Sequence, residues 1–72
     1  MPAQKESTTI IGRNIRNRRN ELNMTQAELS ELAGITQATL SYIELGINKP
    51  QLDNLQALAE ALQISIDELV KE

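Results

Sequence analysis

Seventy-two residues suffice for one small domain, and with no cysteine and no histidine it has neither disulfides nor the commonest zinc ligands to hold it together. The same absences rule out a Ser-His-Asp triad, a thiol nucleophile and a histidine base, and so short a chain has little room for a substrate cleft, so an enzyme is not expected. The formal net charge of −3 argues at first sight against nucleic acid as a partner. That charge is unevenly spread. Through Lys49, the cations Lys5, Arg13, Arg16, Arg18, Arg19 and Lys49 exceed the carboxylates by one; from Pro50 onward, Lys71 faces Asp53, Glu60, Asp67, Glu68 and Glu72, a net −4. A negative total therefore does not require a negative working face. No run approaches the roughly 20 apolar residues of a membrane span, and the opening MPAQKESTT has no signal-peptide core, so a cytoplasmic protein is expected.

Residues 1–8 are polar and without periodicity, which predicts a flexible N-terminal arm. Ile11, Ile15 and Leu22 then recur at helical spacing and predict a first helix near 9–22. Thr25-x-x-Glu28 is a capping-box signature that opens a second helix. Its apolar residues Leu29 and Ala33 turn inward, and it stops at Gly34, where a left-handed backbone is cheap. Thr36 caps a third helix from Gln37 to Leu45, closed by Gly46. After a loop containing Pro50, a fourth helix at about 52–62 aligns Leu52, Leu55, Leu58, Ala59 and Leu62. Gln51 is a weak N-cap for it, at a cost of ~1 kcal/mol. Ser65-x-x-Glu68 reads as a second capping box, opening a short fifth helix with Ile66, Leu69 and Val70. No strand pattern or repeat appears; the class is all-α.

The informative stretch is 25–45. Small or apolar residues fall at Leu29, Ser30, Ala33, Gly34, Ile35, Leu40 and Ile43. That spacing buries one face of each helix, puts a small residue where they cross and leaves the outer face of the second helix polar. This is the helix-turn-helix arrangement, expected within a single domain over 9–72.

The run MTQAELSELAGITQATLSYIELGINKPQLDNLQALAEALQISIDEL is similar to the phage lambda repressor and Cro family, over roughly Ile11 to Val70. The resemblance implies a compact five-helix domain that binds double-stranded operator DNA in the major groove. It implies that Gln26 holds a phosphate and supports the first base-reading side chain. It places Thr36, Gln37, Ala38, Ser41 and Tyr42 at the reading positions. It assigns phosphate contact to Lys49 and to the backbone amides near Gly46 and Ile47, and a structural ion pair to Arg19 and Glu44. The family often carries polar or basic residues where Leu45 and Ile47 stand, and a common alanine where Ser30 stands.

Physical chemistry gives each residue its own reading. Gln37 can pair with adenine N6 and N7 through one donor and one acceptor. Ala38 either meets a thymine methyl or is a neutral helix former. Tyr42, four residues on, shares the face of Ala38; it contacts DNA or packs against neighbouring helices. Ser41 donates to a phosphate or faces solvent. The amides at Thr25 and Gln26 can hold a phosphate without any formal cation, because a helix N-terminus carries free donors and partial positive charge. Arg13, Arg16 and Arg18 raise the local potential or form a solvated face. Ser30 can bond back along its own helix.

One module of this size favours a homodimer, with two reading helices about 34 Å apart on a near-palindromic operator. Ile64, Ile66, Leu69 and Val70 either form the dimer face or finish the monomer core; Ile64, Ile66 and Val70 are expected at the dimer face, and Leu69 in the core. The expected activity is transcriptional regulation, as a repressor, with no metal, cofactor or small-molecule ligand. The competing expectation is a protein-interaction module that binds an antitoxin- or antirepressor-type partner, with Leu45 and Ile47 as its contact.

Overall fold

The computed structural model describes residues 9–72; the arm expected at 1–8 lies outside the described residues. Five helices follow one another: α1 (Ile10–Glu21), α2 (Gln26–Ala33), α3 (Gln37–Leu45), α4 (Leu52–Leu62) and α5 (Ile66–Leu69). None is long and apolar enough to cross a membrane.

Short polar side chains start most of them. Thr9 accepts the Gly12 amide at 2.9 Å and Thr36 accepts that of Thr39 at 3.0 Å. At α2 the capping box is complete, with the Glu28 amide on Thr25 Oγ1 at 3.0 Å and the Thr25 amide on Glu28 Oε1 at 2.9 Å. At α5 only half of the expected box forms: Ser65 Oγ accepts the Glu68 amide at 3.1 Å, without the returning carboxylate bond. Gln51 gives α4 no side-chain cap.

The helix ends repeat one device. Asn23, Gly34, Gly46 and Gln63 take left-handed backbone, with φ of 58°, 75°, 82° and 61°. The residue after each donates its amide five residues back: Met24 to Arg19, Ile35 to Ser30, Ile47 to Tyr42 and Ile64 to Ala59, at 2.9–3.1 Å. These are Schellman closures, which satisfy orphan carbonyls and usually tuck the following apolar residue onto the helix. Met24, Ile35 and Ile64 do pack against the core. Ile47, in contrast, is 61% exposed. Gln63 is exposed and carries a Cβ where glycine is at ease,. Gln63→Gly is therefore expected to stabilise the fold by about 0.5–1 kcal/mol, read as a rise in the thermal midpoint. A lowered midpoint would show that the Gln63 side chain contributes something the backbone argument omits.

Ile15, Leu29, Leu40, Ile43, Leu58, Leu62 and Leu69 are fully buried. Helix α2 packs on α4 and α3, and α1 packs on α3, α4 and α5. Leu52, expected in the apolar stripe of α4, is instead exposed. It sits in the first turn of α4, at the edge of the stripe centred on Leu55, Leu58, Ala59 and Leu62, beyond the reach of the neighbouring helices. Leu22 falls just past the end of α1 but still packs against the core.

Two polar residues of α1 tie down the C-terminal half. Asn14 Nδ2 donates to the Leu69 and Lys71 carbonyls at 2.8 and 2.7 Å. Arg18 Nε donates to the Leu62 carbonyl at 2.9 Å, and its other arm meets Glu21 at 3.2 Å. Arg18 is thus a C-cap for α4 rather than a member of a solvated face, since last-turn carbonyls attract a cation. Arg13 and Arg16 are exposed. Of the expected dimer face, Ile64 and Ile66 lean on their own core and Val70 is exposed.

Candidate nucleic-acid interface

The periodicity of α3 divides it cleanly. Leu40, Ile43 and Glu44 point inward, whereas Gln37, Ala38 and Tyr42 are exposed and Ser41 is half-buried. Tyr42 is 46% exposed and stands outside the core cluster, so nearly half of its surface is open to a partner while the rest packs on its own protein. Thr36 differs from its neighbours. Its hydroxyl donates to Thr39 Oγ1 at 2.8 Å while accepting the Thr39 amide, so its only proton is committed within the chain and an acceptor lone pair remains.

The turn that aims α3 depends on Gly34, whose left-handed backbone lets the chain reverse between Ala33 and Thr36. Ser30 is 5% exposed at the crossing, and its hydroxyl donates back to the Ala27 carbonyl at 3.0 Å. A buried hydroxyl is tolerated there because it is satisfied.

Glu44 is the one acid of α3, and it is 3% exposed. Arg19 grips it with Nε on Oε2 at 2.8 Å and a terminal nitrogen on Oε1 at 3.1 Å, and sends another donor to the Met24 carbonyl at 2.9 Å. Gln26 Nε2 also donates to Oε1, at 3.0 Å. The charge of Glu44 is thereby neutralised locally, so the outer face of α3 presents no net negative charge.

At the start of α2, Thr25 and Glu28 satisfy each other, which leaves the first-turn amides of Gln26 and Ala27 as donors without a helical partner,. The amides of Gly46 and Ile47 behave otherwise. Gly46 donates to Ile43 at 3.1 Å, Ile47 to Tyr42 at 2.9 Å, and Asn48 also to Tyr42 at 3.3 Å. Both N–H groups assigned to phosphate by the resemblance are thus already engaged in the helix closure. Lys49 is exposed beside them. It lines a shallow depression of ≈ 390 Å³ with Thr39, Asn48, Pro50, Gln51 and Asn54, against the uncapped start of α4. Asn48 and Asn54 had no motif to mark them; the weak cap at Gln51 was the one available signal. Leu45, the last residue of α3, is 48% exposed.

Comparison with known proteins places this geometry. A family model described as helix-turn-helix matches residues 15–69. The chain is similar to repressor protein C2 of Salmonella phage P22, with 38% identity over 65 residues, 90% of this chain and 30% of the relative. It is similar to the cryptic phage CTXphi transcriptional repressor RstR of Vibrio cholerae, with 39% identity over 59 residues, 82% of this chain and 53% of the relative. It thus spans 30% of the first of these curated relatives and 53% of the second. Among solved structures, the P22 c2 repressor in complex with a synthetic operator superposes with a TM-score of 0.82 at 39% identity, covering 89% of this chain and 97% of that one.

Proposed function

The chain belongs to the helix-turn-helix family, and from that premise we propose that it is a sequence-specific DNA-binding regulator acting in the cytoplasm as a homodimeric repressor. The observation that carries this reading is the outer face of α3, where Gln37, Ala38, Ser41 and Tyr42 form one ledge free of net charge. Base edges supply sequence information, and phosphate contacts fix register. Gln37 reads adenine, Ala38 lies against a thymine methyl, Tyr42 and Ser41 extend the contact, and Thr36 offers only its remaining lone pair. The first-turn amides after Thr25 hold one phosphate, together with Gln26. Lys49 and the uncapped start of α4 hold the next, in place of the Gly46 and Ile47 amides. Two such surfaces, paired through Val70 with the rims of Ile64 and Ile66, meet a near-palindromic site with half-sites about 34 Å apart. No cofactor or small-molecule ligand enters this reading.

Gln37 and Lys49 separate the two kinds of contact. Gln37→Ala is expected to relax preference at one base position in each half-site, by about 1–3 kcal/mol of discrimination. Lys49→Ala is expected to weaken all sequences alike and to reduce the salt slope by about one. Competitive binding against single-base operator variants checks both. A uniform loss with Gln37→Ala, preference unchanged, would remove Gln37 from base reading.

One observation favours a second reading, a module that binds a regulatory protein of the antitoxin or antirepressor type: Leu45, the last residue of the reading helix, and Ile47, two positions on, are both exposed aliphatics,. Charge substitution at Ile47 that leaves DNA binding intact while abolishing partner binding would support it.

A further inference from the structure

We propose that Glu44 is a positioning residue for DNA contact: its carboxylate, clamped by Arg19, fixes the side-chain amide of Gln26, so the buried ion pair serves recognition as well as folding. The inference rests on the DNA-binding reading above and adds to it the device that sets the Gln26 amide.

Glu44 belongs to α3 and Gln26 opens α2, so their 3.0 Å bond crosses the turn between the two elements that meet DNA. The carboxylate cannot drift, because Arg19 holds both of its oxygens from α1 and the residue is buried. The orientation of the Gln26 amide follows from chemistry. Flipped, it would set its oxygen against a carboxylate, so Nε2 must face Glu44. Its second N–H and its carbonyl oxygen are then left for an outside partner, and the N–H suits a phosphate oxygen. A half-buried glutamine without that anchor would sample several rotamers and would have to be ordered on binding. Arg19 alone cannot supply the effect, since a cation cannot accept from the amide.

The fold does not require a charged pair at this place. Replacing a buried ion pair with apolar residues of similar volume is often neutral or stabilising. The double variant R19M/E44L therefore separates folding from positioning. On selected operator DNA, Gln26→Ala in the native background is expected to weaken binding about tenfold. R19M/E44L is expected to lose a similar factor, and adding Gln26→Ala to it should cost almost nothing more. If R19M/E44L is folded and Gln26→Ala still costs the same tenfold in it, the assignment is overturned.

A measurement without DNA distinguishes failure of this inference from failure of the DNA-binding reading, and it holds should the double variant not fold. In the native protein, the Gln26 side-chain amide should show restricted motion and slowed hydrogen exchange by ¹⁵N NMR, unlike that of exposed Gln56. Equal mobility at the two sites would overturn the positioning role even if operator binding is tight. Restricted motion with no DNA bound at any salt would overturn the DNA reading, and the recognition role of Glu44 with it.

Discussion

Glu44→Ala is expected to destabilise the domain by about 3–5 kcal/mol, enough to leave much of it unfolded at room temperature. Removing one partner of a buried pair strands the other. Here the stranded group is Arg19, whose side chain is 12% exposed and loses two of its three protein bonds. Gln26 loses its acceptor at the same time. A domain of this size rarely has more than about 3–5 kcal/mol in total, so the loss is comparable with everything available. Thermal and urea melts followed by circular dichroism read it directly. By contrast, Glu28→Ala removes only half of an exposed capping box and should cost about 1 kcal/mol. Equal melting of Glu44→Ala and the native protein would mean that Arg19 finds water or another acceptor, and the central clamp would have to be redrawn.

Gly12→Ala is the second large effect, and its sign is the informative part. Gly12 is buried in the first turn of α1. In an exposed helix, glycine to alanine stabilises by about 1 kcal/mol. At Gly12 a Cβ would run into the Ile43 carbonyl oxygen and come within 2.9 Å of that of Glu44. Both atoms are backbone at the end of α3, so relief requires the two helices to separate. Overpacking of this kind costs about 1–3 kcal/mol, which outweighs the propensity gain. Each net kcal/mol lowers the melting temperature by roughly 4–8 °C in a domain this small. A higher melting temperature would contradict the close approach of α1 and α3. On the proposal that α3 reads DNA, the same substitution should also weaken DNA binding in the folded fraction.

Gly12 also marks where sequence reading ends, whereas the Arg19–Glu44 pair is already implied by the family resemblance. Thr25 with Glu28, Thr36, Gly34 and Gly46 announce helix starts and stops through bonds made within a few residues, so the five helices and their limits are legible. The outer face of α3 is legible for the same reason, since period alone separates Gln37, Ala38 and Tyr42 from Leu40 and Ile43. Gly12 carries no such local mark; its importance comes from α3, more than thirty positions away in the chain. Arg18 and Asn14 are alike in this, because their acceptors are carbonyls of α4, α5 and the C-terminal tail. The engaged amides of Gly46 and Ile47 were legible in principle, as the closing glycine of a helix already implies the Schellman bonds that occupy them. Leu52 went the other way: its period fits the stripe, but helical period does not reveal where the neighbouring helices stop covering it.

Ile47 joins the two themes. Three of the four helix closures pack the apolar residue that follows the left-handed position against the core, and this one does not. It stands beside Lys49, where a cation would add a phosphate contact. On the proposed reading, affinity per subunit is expected to be modest, and pairing of two subunits correspondingly more important for tight binding.

The decisive measurement is selection from a randomised duplex library, followed by sequencing, at two salt concentrations. A two-fold symmetric site should be enriched, with affinity that falls steeply as salt rises, because phosphate contacts release counterions. Failure to enrich any sequence even at low salt would contradict DNA recognition by the Gln37–Tyr42 ledge and turn attention to a protein partner at Leu45 and Ile47.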